Sequence, residues 1–355
     1  MIGIAVATRL AIESIDRRNR LTTLGVIGLG RIGAFHADTL SGIDGVDGLV
    51  VTDDRPELVA PVATKHGAKA AGSVDELLRC GVDAVVIAAG TPAHASLMLA
   101  VIERGLPTFC EKPIASTAAE SAHVARIIAA SGVPVQVGYQ RRFDPAFASA
   151  KAAVDGGSLG RLHTVRSTTM DASPPPFEYL AASGGIFRDC AVHDFDVLRW
   201  LTGRRAVEVY ATGSVQVDQR LAEIGDVDTA AAIITFDGGT LGVVSAARYN
   251  GRGYDCRLEA HGSDDSVVAG WDHGAPVRNA DPDSDFPAGP PHRFFMDRFA
   301  AAFRAELAAF VDVAAGLAAP ACTVADAVEV AWIAEAAAAS LQRRVPVRVD
   351  EVKTA

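Results

Sequence analysis

The sequence predicts an α/β protein of two domains, a doubly wound parallel sheet followed by an α/β domain with a large, mostly antiparallel open sheet. Three observations predict it. Over the first 140 residues short apolar runs alternate with helical segments, the pattern of a parallel sheet built by right-handed crossovers. After residue 143 strand-like runs follow one another across short turns, which argues for antiparallel pairing. At 355 residues the chain also exceeds what one hydrophobic core usually serves. The expected organisation is an extension at 1–20, a first domain at 21–142 and a second at 143–355.

The elements follow in order. LTTLGVIGLG is an apolar run ending in glycines, and RIGAFHADTL reads as a helix. DGLVVTDDR is a second strand, PELVAPVATKHG a second helix and VDAVVIAAG a third strand. ASLMLAVIERG is helical, PTFCEKP strand-like, TAAESAHVARIIAASG helical, and VPVQVGYQ closes the series. The second domain opens on a helix, PAFASAKAAVDGG, and an alternating strand, RLHTVRSTT. Prolines at 174–176 mark a loop, and SGGIFRDCAVHDFDVLRW then reads as a helix. VEVYATGSVQV, TAAAIITFDGG, TLGVVSAARYN and YDCRLEAHG are strands separated by turns. The stretch 273–293, rich in Pro, Asp and Gly, is a surface loop, and two Ala-rich helices at 294–316 and 324–342 complete the pattern. There is no internal repeat.

Composition narrows the partners. Hydrophobic residues make up 49% and charged residues 21%, the profile of an ordinary globular protein, and the formal net charge is -10. That charge argues against nucleic acid, which needs a basic footprint. No apolar run approaches the roughly 18 residues of a membrane span, so no membrane partner is expected. Cys80, Cys110, Cys190, Cys256 and Cys322 are scattered and odd in number, which fits a reducing, cytoplasmic setting rather than a disulfide framework. Residues 1–20 are too broken by Arg9, Glu13, Asp16, Arg17 and Arg18 for a signal peptide and read as an extension, an amphipathic partner helix being the alternative. No His, Cys, Asp or Glu cluster has metal-ligand spacing, so no metal is expected.

The first strand–helix junction carries chemistry. Gly28, Gly30 and Gly33 have the spacing G-x-G-x-x-G. Gly28 permits the tight turn, Gly30 lets the backbone approach a pyrophosphate, and Gly33 lets helix and strand pack closely. The helix N-terminus then offers N–H groups and a positive dipole end to the phosphates. An acid is required roughly 20 residues on, and Asp53 and Asp54 stand at the end of the second strand. Together these predict a Rossmann domain. Asp53 is expected to accept hydrogen bonds from the adenosine ribose, and a second carboxylate, Asp54, to repel a 2′-phosphate, which favours NAD over NADP. Arg55 is the contrary observation, since an arginine here can hold that phosphate.

Asp189 and His193 stand four residues apart just after Gly184 and Gly185. Taken alone, they are a solvated i,i+4 pair on a helix surface. Cys190 between them reads as a small packing residue, since no base sits at a spacing suited to activating it. His36 and His94 read as supporting histidines.

Several segments together resemble the Gfo/Idh/MocA family: GLGRIGAFHA, VIAAGTPAHA, CEKPIA at 110–115, VQVGYQRRFDPAF at 135–147 and SGGIFRDCAVHDFD at 183–196. The resemblance runs from about Leu24 onward and is nearest to inositol 2-dehydrogenases and sugar-oxidising relatives. It implies a Rossmann domain and a C-terminal α/β domain whose open sheet serves in oligomerisation, as a homodimer or homotetramer. It implies that Lys112 of an E-K-P motif, Asp189 and His193 are catalytic. The residue chemistry agrees: oxidising a secondary alcohol needs a proton acceptor, and histidine titrates near working pH. Asp189 is expected to orient the hydroxyl or the imidazole, and Lys112 to stabilise developing alkoxide character. The expected cofactor site comprises Gly28, Gly30, Arg31, Ile32, Gly33, Asp53, Asp54, Arg55, Ala89, Thr91, Pro92, His94, Glu111, Lys112 and Gln140. The expected substrate contacts are Arg141, Asp171, Asp189, His193 and Tyr254, with Asn250 near them. Arg142 is assigned to a structural ion pair, and Asp194 and Asp196 to a polar or capping face, with a substrate contact as the alternative for Asp194. The clearest departure is TTMDASPPP at 168–176, where similar inositol dehydrogenases carry a His-Arg-Asn-like stretch. It weighs against inositol itself and leaves Asp171 to bind a hydroxyl pair.

The expected activity is NAD-dependent oxidation of a ring hydroxyl of a cyclic polyol or sugar. The alternatives are a pyranose or anhydrosugar dehydrogenase, an epimerase or lyase with tightly bound NAD, and a non-catalytic sugar sensor. The last two predict altered E-K-P or Asp/His positions, and here both are intact.

Overall fold

In a computed structural model the protein is described from residue 22 to residue 353; the 1–20 extension lies outside the described residues. Among them two compact units are distinguished.

The first unit opens β1 (Thr22–Ile27), α1 (Arg31–Leu40), β2 (Val46–Thr52), α2 (Pro56–His66), β3 (Lys69–Ala70), α3 (Val74–Arg79) and β4 (Ala84–Ile87). It continues α4 (Thr91–Glu103), β5 (Thr108–Glu111), α5 (Ala118–Ser131) and β6 (Val135–Gly138). All pairings are parallel, in the order β3-β2-β1-β4-β5-β6. The strand order reverses between β1 and β4, where open α/β sheets bind ligands. The strands are near-continuous Val/Ile/Leu/Ala runs because both faces are covered; Leu24, Val26, Val86 and Ile87 are fully or almost fully buried.

The second unit contains α6 (Pro145–Asp155), β7 (Leu162–Met170), α7 (Phe177–Ala182), α8 (Ile186–Asp189), α9 (Val192–Thr202), β8 (Ala206–Ser214) and α10 (Arg220–Glu223). There follow β9 (Thr229–Phe236), β10 (Leu241–Ala247), β11 (Asp255–Gly262), β12 (Ser266–Ala269), α11 (Phe295–Arg298), α12 (Ala300–Ala314), α13 (Val324–Arg343), β13 (Val347–Arg348) and α14 (Val349–Lys353). The sheet runs β12-β11-β7-β10-β9-β8-β13. Its pairings are antiparallel except β7 with β10, Leu241 standing opposite Thr164. A parallel pair needs a crossover, and here the chain between the two strands contains α7 to α10 and two further strands. Period-2 alternation gives the sheet a buried face, with Val165, Val209, Ile234 and Val244, and an outward face that includes Tyr210, Ile233 and Leu241.

A single boundary near residue 142 does not describe the division. The first unit runs to Tyr139 and takes back Phe303–Val328; the second holds Gln140–Ala302 and the chain from Glu329. The reason is packing. Leu307, Phe310, Val311 and Val313 of α12 join one hydrophobic cluster with Leu24, Val26, Val86 and Phe109. An Ala-rich helical pattern shows that an apolar face exists, not which sheet covers it.

The segment read as one helix over 183–200 is broken. α8 ends at Asp189 and α9 begins at Val192, with Cys190 and Ala191 in a turn. Ala191 N–H reaches back to Ile186 O, while Asp194 N–H reaches only to Ala191 O. The hydrogen-bond step changes across the turn, so Asp189 and His193 flank a break rather than share a continuous helix.

Candidate active site

The loop after β1 is shaped for a close-lying ligand. Gly28 has φ +88°, and a Cβ there would stand 2.5 Å from Ala89 N. A Cβ on Gly33 would stand 1.8 Å from Gly28 O, so helix and strand touch through this glycine. At Gly30 a Cβ would meet nothing nearer than Arg55 Nη2, at 3.6 Å. No side chain caps the N-terminus of α1 at Gly30, and its first turn holds no acid. That is the donor set a pyrophosphate requires.

Asp53 ends β2 beside this loop. Leu29 N–H donates to its Oδ2 at 2.5 Å and Arg55 N–H to its Oδ1 at 2.9 Å. Burial raises the affinity of Asp53 for a proton, but these donors and the neighbouring Asp54 and Arg55 side chains outweigh it and hold the carboxyl below its ordinary range. Asp54 is 95% exposed, and Arg55 Nε is 3.3 Å from Asp53 Oδ1. A fixed carboxylate at this place fits a ribose diol. Arg31 is exposed on the first turn of α1 and Ile32 is half-buried.

Ala89, Thr91 and Pro92 follow β4, the strand beside β1. His94, on α4, is buried, with Nδ1 2.7 Å from Pro113 O and Nε2 2.9 Å from Ala89 O. Glu111 ends β5, and its Oε1 lies 2.7 Å from Nε2 of the fully buried His36. Burial pushes Glu111 up, yet His36 and the charges of Lys112 and His94 hold it below the usual carboxylate range. Lys112 is half-buried and its N–H donates to Glu111 Oε2 at 3.2 Å. The Lys112–Pro113 peptide is cis.

In the second unit Gly184 and Gly185 have φ +81° and +90°, which favours glycine. They lead into α8, where Ile186 N–H donates to Asp226 Oδ1 at 2.9 Å. Arg248, fully buried, donates from Nη1 to Asp189 Oδ2 at 3.1 Å and from Nη2 to Asp226 Oδ2 at 3.4 Å. Tyr179 Oη donates to Asp189 Oδ1 at 2.9 Å. Asp189 is thus a carboxylate clamped on both oxygens, with half-buried His193 one turn on. Burial, and after it the charge of Asp171, pushes the Cys190 thiol well up, so it stays protonated and packs. Asp171 is half-buried at the end of β7, its N–H on Ala247 O.

Two expected substrate contacts are buried among protein partners. Arg141 is 1% exposed; Nη1 is 2.9 Å from Asp194 Oδ1 and Nη2 2.8 Å from Thr169 Oγ1. Asp194 Oδ1 also accepts from Ser167 and Thr169. Arg141 is therefore a buried structural ion pair, like Arg142 with Asp196. Asp194 and Asp196 are the partners of these arginines, not a polar or capping face. Tyr254 is 4% exposed and packs against Phe295 and Phe299. Gln140 is buried at the start of a short 3-10 turn, and Asn250 lies in a turn whose carbonyl accepts from Gly253 N–H. Arg248, Tyr179 and Asp226 were missed. Arg248 had a signal: it continues the inward positions Val244 and Ala246, where a charge demands a buried partner.

Among the described residues no group of His, Cys, Asp or Glu could hold a metal, and no helix is long and apolar enough to cross a membrane.

Residues 22–139 match the oxidoreductase family with NAD-binding Rossmann fold, and residues 147–268 the GFO/IDH/MocA C-terminal domain. The myo-inositol dehydrogenase Hyg17 of Streptomyces leeuwenhoekii is 42% identical over 295 residues, 83% of this chain and 89% of that protein. A myo-inositol 2-dehydrogenase of Thermotoga maritima is 35% identical over 331 residues, 93% of this chain and 99% of that protein. A solved scyllo-inositol dehydrogenase from Lactobacillus casei, with bound NAD(H) and scyllo-inositol, superposes with a TM-score of 0.83 at 26% identity, over 93% of this chain and 99% of that one. The departure at 168–176 does not remove the chain from the company of inositol dehydrogenases. With a phosphate loop ready for NAD, a clamped Asp189 beside His193, and both halves matched, this chain belongs to the GFO/IDH/MocA family of NAD-binding oxidoreductases.

Proposed function

We propose that this protein is an inositol 2-dehydrogenase-like enzyme that oxidises a secondary ring hydroxyl of a cyclic polyol with NAD. The carrying observation is Asp189, whose two carboxylate oxygens are held by Tyr179 and Arg248 at the turn that leads to His193. When bound, NAD supplies the hydride acceptor. The chain's own residues do the rest. Gly28, Gly30 and Gly33 seat the pyrophosphate and Asp53 the ribose. Asp189, held on both oxygens by Tyr179 and Arg248, orients the hydroxyl or the imidazole, and His193 takes the hydroxyl proton. Lys112 donates a hydrogen bond to the oxygen as it gains alkoxide character. Asp171 binds a neighbouring hydroxyl.

A pyranose or anhydrosugar remains the second reading, favoured by the prolines and Asp171 at 168–176. NADH formation separates the two, measured with myo-, scyllo- and D-chiro-inositol, glucose, xylose and levoglucosan, and repeated with NADP. Inositol turnover with NAD is expected; turnover on pyranoses alone would overturn the polyol assignment. Lys112→Ala and His193→Ala should each lose several powers of ten in kcat while still binding NAD, and near-normal turnover in either would remove its role.

We extend the reading to a homodimer or homotetramer formed through the outward face of the second sheet. Tyr210 stands opposite Ile233, both are exposed, and Val243 is the next residue in that row. A cytoplasmic setting is part of the reading, supported by five cysteines with no disulfide.

A further inference from the structure

The residues on either side of Lys112 are each gripped by a buried histidine from a different helix. On one side His36 comes from α1, the helix that begins at the phosphate loop. Its Nε2 meets Glu111 Oε1 at 2.7 Å, and Glu111 Oε2 accepts the N–H of Lys112. On the other side His94 comes from α4, and its Nδ1 meets Pro113 O at 2.7 Å. Its second nitrogen faces Ala89 O, and Ala89 is the residue against which Gly28 packs.

Stability alone does not account for the His36–Glu111 pair. His36 is fully buried among Phe35, Phe109 and Phe303, and its Nδ1 has no partner among the described residues. A buried polar atom without a partner destabilises the fold, and a well-packed apolar replacement of a buried pair is often neutral or stabilising. An aromatic ring would fill this box. What it could not do is hold the Glu111 carboxylate toward the Lys112 backbone.

We propose that His36 and His94 are positioning residues for Lys112, linking the seat of the dinucleotide to the lysine backbone through Glu111 and Pro113. The proposal rests on the catalytic reading of Lys112 above, so its test has one arm that needs no turnover. The variants are His36→Phe, which keeps the packing, and His36→Gln, which keeps a donor near the Nε2 position. In the protein without ligand, hydrogen exchange of the Lys112 amide should speed up about tenfold or more in His36→Phe and stay near the wild-type rate in His36→Gln. Melting temperature should fall in His36→Phe, which leaves the Glu111 carboxylate without its partner, and recover in His36→Gln, while Kd for NAD should stay within about threefold in both. With a polyol the wild type oxidises, kcat should drop roughly 100-fold in His36→Phe and recover to within about tenfold in His36→Gln. In a Lys112→Ala background, adding His36→Phe should change the residual rate less than about twofold.

Unchanged Lys112 exchange in His36→Phe overturns the proposal whether or not a substrate has been found. Equal slowing with and without Lys112 overturns it too, because a purely structural histidine would act in both backgrounds. If His36→Phe does not fold, Glu111→Gln, nearly isosteric, tests the carboxylate link with His36 in place, and unchanged Lys112 exchange in that variant overturns the proposal. A wild type that binds NAD but oxidises no polyol defeats the dehydrogenase reading and leaves the exchange result standing.

Discussion

Arg141 and Arg248 have the same side chain, the same burial and opposite consequences. Arg248 holds Asp189, a carboxylate proposed to be catalytic, whereas Arg141 holds Asp194, sealed beneath Ser167 and Thr169. Removing one partner of a buried ion pair costs about 3–5 kcal/mol. Arg141→Ala should therefore lower the melting temperature steeply without a selective rise in KM for polyol. A stable variant with a large KM change would return Arg141 to the substrate. Asp228 shows the same principle without a cation. It is buried and accepts the N–H groups of Gln216, Val217 and Asp218 and the hydroxyl of Thr229. Burial pushes its carboxyl up, but these donors win and hold it below the usual range. The folded protein then binds this proton less tightly than the unfolded chain. Its stabilisation is complete above the ordinary carboxylate pKa of about 4 and is lost as pH falls from there through the lowered value. Thermal melts should show a plateau from about pH 7 to 5 and a fall below about 4. Asp228→Asn should lower the plateau and flatten the acid slope; an unchanged slope would remove Asp228 from the acid transition. At this scale the family was legible because the motifs that carry Lys112, Asp189 and His193 resemble it, while the roles of the three side chains rest on the proposal above. The burial of Arg141 and Tyr254 was not legible, because nearness to a motif does not say how deeply a side chain is enclosed.

Elements were more legible than their ends. Alternation placed the Rossmann strands and helices, since parallel strands buried on both faces leave unbroken apolar runs. It missed the two-residue β3 and β13 and the four-residue β12, which are too short to show a period. The break at Cys190–Ala191 was illegible as well, because neither residue is a helix breaker; the cause is the local change in hydrogen-bond step. The outward face of the second sheet carries its own prediction. An exposed apolar row across neighbouring strands is a surface that a second copy can cover. Ile233→Glu, at the centre of that row, should reduce the light-scattering mass of the wild-type oligomer to that of a smaller species while Lys112 and Asp189 keep their surroundings. A wild type that is already monomeric would remove the face from assembly.

For the whole molecule the feature of most consequence is the return of Phe303–Val328 to the first unit. Leu307 is fully buried in the cluster that covers β1. Leu307→Ala should cost about 2–5 kcal/mol, and the loss should appear as weaker NAD binding near the melting transition as well as a lower melting temperature. Unaltered stability would mean that α12 only rests on the sheet. The same return sets a timetable during synthesis. Domains usually mature in the order in which they leave the ribosome. Here the leading sheet emerges early but lacks its covering helix until residues beyond 300 have been made. The nascent nucleotide-binding half therefore waits for residues beyond 300 with the part of that cluster which α12 fills still uncovered, and it is open to chaperones for that interval.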